Sequence, residues 1–233
     1  MKFRFETLIF LIVMTGGAQA CAQTQEEINQ KAVDEATQVK QKVDKCVRTL
    51  SSTYAKTKGF KAKVDEAQEL WNNFVEAHIN TIFPVPKGQD YRELYGSING
   101  LCVGDYRKEL SEVRLAELKA WTKLPPKRDL ATLKREYEKA DKALNSTYAK
   151  VMHSPAKAGK TGPQFTKNLV SAEVAWIAFR NTDSEVYGMT AGSKDFCYEK
   201  MIDLTKSRTN QLNKWLEGVE EGDTCGGSYP LKK

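Results

Sequence analysis

Apolar residues recur every three or four positions through most of this chain, with polar residues between them. Over residues 25–58, Ile28, Ala32, Ala36, Val39, Val43, Cys46, Leu50 and Tyr54 make one stripe among Glu, Gln, Lys and Asp. That rhythm predicts an amphipathic helix, and Gly59 ends or bends it. A second helix is expected over 60–82, with Phe60, Val64, Ala67, Trp71, Phe74, His78 and Ile82 on one face. Pro84, Pro86 and Gly88 then impose a loop. A short irregular piece follows at 91–100, and a third helix is expected over 101–124, stopped by Pro125 and Pro126. Asp129 reads as the N-cap of a fourth helix, striped by Leu130, Leu133, Tyr137, Ala140, Leu144, Tyr148 and Val151. Beyond an exposed basic loop at 153–163, Phe165, Leu169, Ala172, Trp176 and Phe179 line a fifth helix. Gly188 and Gly192 mark a turn, and a sixth helix is expected over 195–219. No alternating run of β-branched residues competes, so the expected fold class is all-α.

The six expected helices repeat themselves. LSSTYAK at 50–56 answers LNSTYAK at 144–150, AQELWNNF at 67–74 answers AEVAWIAF at 172–179, and LSEVRLAELKAW at 110–121 answers LTKSRTNQLNKW at 204–215. The matches fall in the same order, which indicates two tandem three-helix units. The expected divisions are 1–22, 23–124, 125–220 and an irregular tail at 221–233.

Residues 1–22 read as a signal peptide: Lys2 and Arg4, an apolar run at 8–14, and small residues around Ala18, Ala20 and Ala22. The run is too short to span a bilayer. Cys21 offers a third processing route, lipidation, although Ala18 and Gln19 fit a lipobox poorly; membrane attachment is expected only by that route. The expected location is therefore the periplasm or the exterior.

Export makes the cysteines disulfide candidates. Without Cys21, the remaining Cys46, Cys102, Cys197 and Cys225 allow three pairings. Cys102 and Cys197 hold corresponding places in the two copies, whereas Cys46 corresponds to Ala140. Cys197 thus lacks its symmetric partner, and the pairing favoured is Cys46–Cys102 with Cys197–Cys225.

The net charge is +6 in 233 residues, which suits acidic partners or a solvated lysine-rich surface. No dense basic patch with interleaved aromatics is present, so nucleic acid is not an expected partner. His78 and His153 stand far apart outside any zinc motif, and neither a phosphate loop nor a G-x-S-x-G elbow occurs. No catalytic residue, metal site or cofactor is expected, and the chain reads as a binding protein. Its candidate partner-binding set is Trp176, Arg180 and Asp183, spaced along one helix face, with Arg208 on the next helix. An aromatic shelf beside an arginine fork can receive an acidic group or a partner loop; the favoured alternative is architectural, with Trp176 and Phe179 in the core and Arg180 or Arg208 paired with a carboxylate between helices. Arg114 matches Arg208 between the copies, whereas Val75 replaces Arg180, so Arg180 is the member best suited to a role beyond architecture.

The pattern A-D-x-x-L-N-x-x-Y at 140–148, A-x-x-A-W-I-x-[FY]-R at 172–180, Gly192-Ser193, and Cys197 through Leu212 resembles the LprI-like lysozyme inhibitor family. The second copy is the better match, and 37–46 is similar to the family's opening. The resemblance implies a small helical protein, secreted or lipid-anchored, that binds and blocks lysozyme. It also implies a cysteine shortly after the W-x-x-[FY]-R segment, where this chain has Ser184, so the usual bridge to Cys197 is lost. Many lysozymes are basic, and like charges disfavour such a complex. The alternatives are an immunity or chaperone-like protein that neutralises a secreted toxin, and an envelope enzyme of unknown class.

Overall fold

The computed structural model describes residues 23–123, 126–154 and 161–232. The expected signal peptide with Cys21, and part of the basic loop, lie outside the described residues. Seven helices are present among the described residues: α1 (Gln25–Thr53), α2 (Phe60–Ile82), α3 (Tyr91–Tyr95), α4 (Asn99–Ala120), α5 (Leu130–Met152), α6 (Gly162–Ala191) and α7 (Asp195–Glu217). Six are the expected long helices; α3 is a single capped turn inside the piece read as irregular.

Local chemistry sets the ends. Thr24 and Glu27 form a reciprocal capping box at the start of α1, and Asp129 caps α5 by accepting from the Thr132 amide. α1 stops at Thr53 rather than at 58, where Ser52 and Thr53 turn their hydroxyls back onto the Arg48 and Thr49 carbonyls. α6 starts at Gly162, earlier than Phe165, because Pro163 fits a first turn where its missing N–H costs nothing.

The helices pair in a way that follows the repeat. In the first copy α1 and α4 run parallel, as shown by Asn29 accepting from the Leu101 amide 72 residues on and Lys108 meeting Glu35 across 73 residues. Gly104 permits their approach: a methyl group there would sit 2.7 Å from the Ala32 methyl and 2.9 Å from its carbonyl carbon. In the second copy α5 packs on α7 in the same way. The two middle helices, α2 and α6, pack against each other across the copies and run antiparallel. Lys63 meets Glu185 at one end, and Asn168 donates to the Asn80 carbonyl at the other. The largest core cluster draws on both copies, including Trp71, Phe74, Leu169, Trp176, Phe179 and Trp215.

The tail after α7 closes the end of the bundle where α2 finishes. Ser228 donates to the Ile82 carbonyl (2.7 Å) through its amide and to the Thr81 carbonyl (2.8 Å) through its hydroxyl. Tyr229 lies 4.8 Å from Trp215, ring to ring. Gly227, at φ +54, passes so close that a methyl group would come within 2.3 Å of the Ile82 carbonyl oxygen.

The disulfide joins Cys102 to Cys225, and Cys46 and Cys197 are free thiols. Both favoured pairings are thereby corrected, for a reason of register. With α1 and α4 offset by 72 residues, Cys46 stands about 16 residues, or roughly 24 Å, along the axis from Cys102. Cys197 and Cys225 lie at opposite ends of α7, roughly 30 Å apart along that helix. The start of α4 and the end of α7 share one end of the bundle, so the tail cysteine meets Cys102. Burial raises the pKa of both free thiols, which lowers their reactivity.

Candidate functional site

The two copies meet at Phe74 of α2 and Phe179 of α6, stacked with centroids 6.3 Å apart and ring planes 2° from parallel. An arginine caps this stack from each side. The Arg114 guanidinium lies 5.1 Å from the Phe179 ring, and the Arg208 guanidinium lies 5.1 Å from the Phe74 ring. Each arginine takes acceptors from both copies, Arg208 adding Gln211 (3.0 Å) of its own copy. Arg114 points at Gln68 (3.5 Å) and donates to Asp183 (2.7 Å). Arg208 donates to Glu173 (2.8 Å through Nε) and to Nδ1 of His78 (3.1 Å). By the sequence repeat Gln68 corresponds to Glu173 and His78 to Asp183, so this is one constellation built twice with the copies exchanged. Beside it lies a cavity of about 30 Å³ bounded by Trp71, Leu110 and Arg114 and by their counterparts Trp176, Leu204 and Arg208. That is space for a water molecule and not for a larger ligand.

The charges in this layer offset one another. Arg114 and Asp183 are completely buried side chains, joined by Glu117 (3.5 Å from Arg114) and Lys200 (3.3 Å from Glu117, 3.8 Å from Asp183). Burial works against the Arg114 charge, but Asp183 and Glu117 outweigh it and hold its pKa above the ordinary arginine value. His78 is buried against Trp215, edge to face at 5.7 Å. Burial, with Arg208 and Lys214 adding repulsion, depresses its pKa well below the usual histidine value. The ring is therefore neutral, and Arg208 is balanced by Glu173 alone.

Of the expected partner-binding residues, Trp176, Asp183 and Arg208 belong to this interior layer, with 3%, 0% and 0% exposure. The face they share looks into the other copy, not into solvent, because the stripe that binds a partner helix is the same stripe that builds a core. Arg180 stands at the layer's edge and is itself only 7% exposed. Its guanidinium lies 4.9 Å from the Trp176 ring and 5.5 Å from Tyr137, and reaches Asp141 at 3.3 Å and Asn181 at 3.1 Å. It borders a pocket of about 410 Å³ with Tyr137, Ser184 and Cys197. Ser184 and Cys197 thus lie along one pocket, and the buried Ser184 hydroxyl has no protein partner.

Arg114, Glu173 and His78 complete the interior layer and Tyr137 and Asp141 the surroundings of Arg180; all five are absent from the expected set. The signal for two of them is the repeat itself: Arg114 pairs with Arg208, and His78 falls opposite Asp183. A separate pocket of about 330 Å³ opens in the first copy at the seam of α1, α2 and α4, lined by Val33, Ala36, Lys40, Trp71, Val75 and Arg107 among others.

A duplicated three-helix unit, its copies joined back to back through paired buried arginines, defines an internally repeated all-α protein. The family model described as lysozyme inhibitor LprI matches residues 17–118 and again 127–212. The chain belongs to that family, in two tandem copies. No curated protein and no solved structure gave a significant match. Among the described residues, no helix is long and apolar enough to cross a membrane.

Proposed function

We propose that this is an exported protein that binds lysozyme and blocks it by occupying surface, without chemistry of its own. The observation that carries this reading is the family match over both copies. The disulfide between Cys102 and Cys225 supports export to the periplasm or the exterior. Contact with the partner is assigned to the surface around Arg180. Trp176, Asp183 and Arg208 act from inside, by fixing the helices that carry that surface. Lysozyme-driven clearing of a cell-wall suspension, with and without the chain from residue 23 onward, tests the proposal. Inhibition that saturates near equimolar protein is expected. Undiminished clearing at a large excess, together with no capture on immobilised lysozyme, would refute it.

A second reading draws on the net charge of +6. An acidic secreted toxin would be attracted where a basic lysozyme is repelled, which suits an immunity or chaperone-like role. Affinity capture from envelope extract at low and high salt separates the two, since only an oppositely charged partner loses association rate steeply with salt.

A further inference from the structure

The two copies differ most at one seam. In the second copy the part of the α5, α6 and α7 seam between Trp176 and Tyr198 is filled by planar groups, and the pocket of about 410 Å³ opens beyond Arg180, toward Ser184 and Cys197. The Arg180 guanidinium lies between Trp176 and Tyr137, Tyr137 packs edge to face on Tyr198 at 6.1 Å, and the Lys134 ammonium sits 5.9 Å from the Tyr198 ring. The repeat places Trp71 at the position of Trp176 and Lys40 at that of Lys134. It also puts Val75 where Arg180 stands, Val43 for Tyr137, Ala36 for Leu130 and Gly104 for Tyr198. The first copy has kept the aromatic wall and the cation and lost the filling between them. The outcome is the pocket of about 330 Å³ at the seam of α1, α2 and α4, near the lower end of the range for specific ligand sites, about 300–1,000 Å³.

We infer that this pocket receives one aromatic side chain from a bound protein, its ring seated between Trp71 and Lys40 as Tyr198 is seated beneath Lys134. The inference rests on the proposed protein-binding role for the source of the ring, though not for the pocket. The lining selects the occupant. Trp71, Val75, Ala36 and Gly104 give an apolar floor. Lys40 and Arg107 on the rim can face a ring, with Glu76 beside Arg107 in the lining. Both cations already hold carboxylates, Asp44 at 2.9 Å and Glu76 at 2.7 Å, so a neutral ring is favoured over an anion. Val33, 40% exposed at the mouth, extends the apolar surface to a flanking segment. A buried aromatic anchor in such a pocket is the usual form of a binding hot spot.

The test uses p-cresol, the tyrosine side chain as a free molecule, titrated while the Trp71 indole N–H is followed by NMR and identified with Trp71→Phe. Cyclohexanol serves as the non-aromatic control. Ala36→Leu and Val75→Arg each install the second copy's residue and fill the pocket, with the thermal midpoint verifying the fold. Saturable movement of the Trp71 signal is expected, weaker by about tenfold for cyclohexanol and by about tenfold or more in either filled variant. An unmoved Trp71 signal, equal response to cyclohexanol, or unchanged p-cresol binding in a folded filled variant would overturn the inference. Lysozyme capture is run in parallel. Capture that survives both filled variants would also overturn it while leaving the partner reading intact. Seating of p-cresol that both variants block, with no lysozyme capture by the original chain, would sink the partner reading alone.

Discussion

Removing the Asp183 carboxylate is the sharpest test of the layer that joins the copies. Asp183→Ala takes away the 2.7 Å partner of Arg114, a side chain with no exposure. The four charges Arg114, Lys200, Asp183 and Glu117 sum to zero; after the change one buried positive charge is left over. Glu117 compensates only in part, because it stands 3.5 Å from Arg114 and is itself 23% exposed. Breaking a buried pair from one side costs about 3–5 kcal/mol, and a chain of this size loses about 2–4 °C of thermal midpoint per kcal/mol. A fall of roughly 6–20 °C is therefore expected by calorimetry. Replacing Arg114 as well, as in Asp183→Leu with Arg114→Met, removes the stranded charge and restores most of the loss. The cycle of Asp183→Leu, Arg114→Met and the double variant measures the coupling directly. A single-variant loss under about 1 kcal/mol, the scale of an exposed ion pair, would refute the view that this pair locks the two copies together.

Three further outcomes are expected from the same packing. His78 has a depressed pKa in the folded chain, so its contribution is complete above the unfolded value near 6.5 and is lost as pH falls below it. Stability should fall through this group as pH drops below about 6.5, with a slope of at most about 1.4 kcal/mol per pH unit, and urea titrations of His78→Gln should lack that component; identical pH slopes would contradict it. Breaking the Cys102–Cys225 bridge with Cys225→Ser should lower stability by about 2–5 kcal/mol, and dithiothreitol should then cause no additional loss in denaturant melts. Arg180→Ala removes two ring contacts and the Asp141 pair, for an expected loss of about 1–3 kcal/mol. A midpoint within a degree of the original would show instead that Arg180 is free of structural work.

Most of the architecture was legible because helical periodicity and tandem repetition are local signals. The stripes through Val39, Val43 and Leu50, or Leu133, Ala140 and Leu144, turned inward as their spacing required. Pairing between helices is a non-local property, and there the reading stopped. Nothing in the spacing of Cys46, Cys102, Cys197 and Cys225 reveals that α1 and α4 are parallel with an offset of 72 residues, yet that offset decides which thiols can meet. The Trp176 face is chemically distinctive in the sequence, but composition alone does not tell an interface between two copies from an interface with another protein. His78 shows the same limit from the other side. As a lone histidine it carried no message; set opposite Asp183 by the repeat, it is half of a duplicated acceptor pair.

The bridge from Cys102 to Cys225 spans 123 residues, and the whole second copy lies inside that span. Chemically the molecule is a closed ring with an N-terminal helical arm, not a string of two beads. A protease that cuts the exposed connection near Lys127, between α4 and α5, opens the ring without releasing a fragment. Nicked protein would run as one species on a non-reducing gel and as two once the sulfurs are parted.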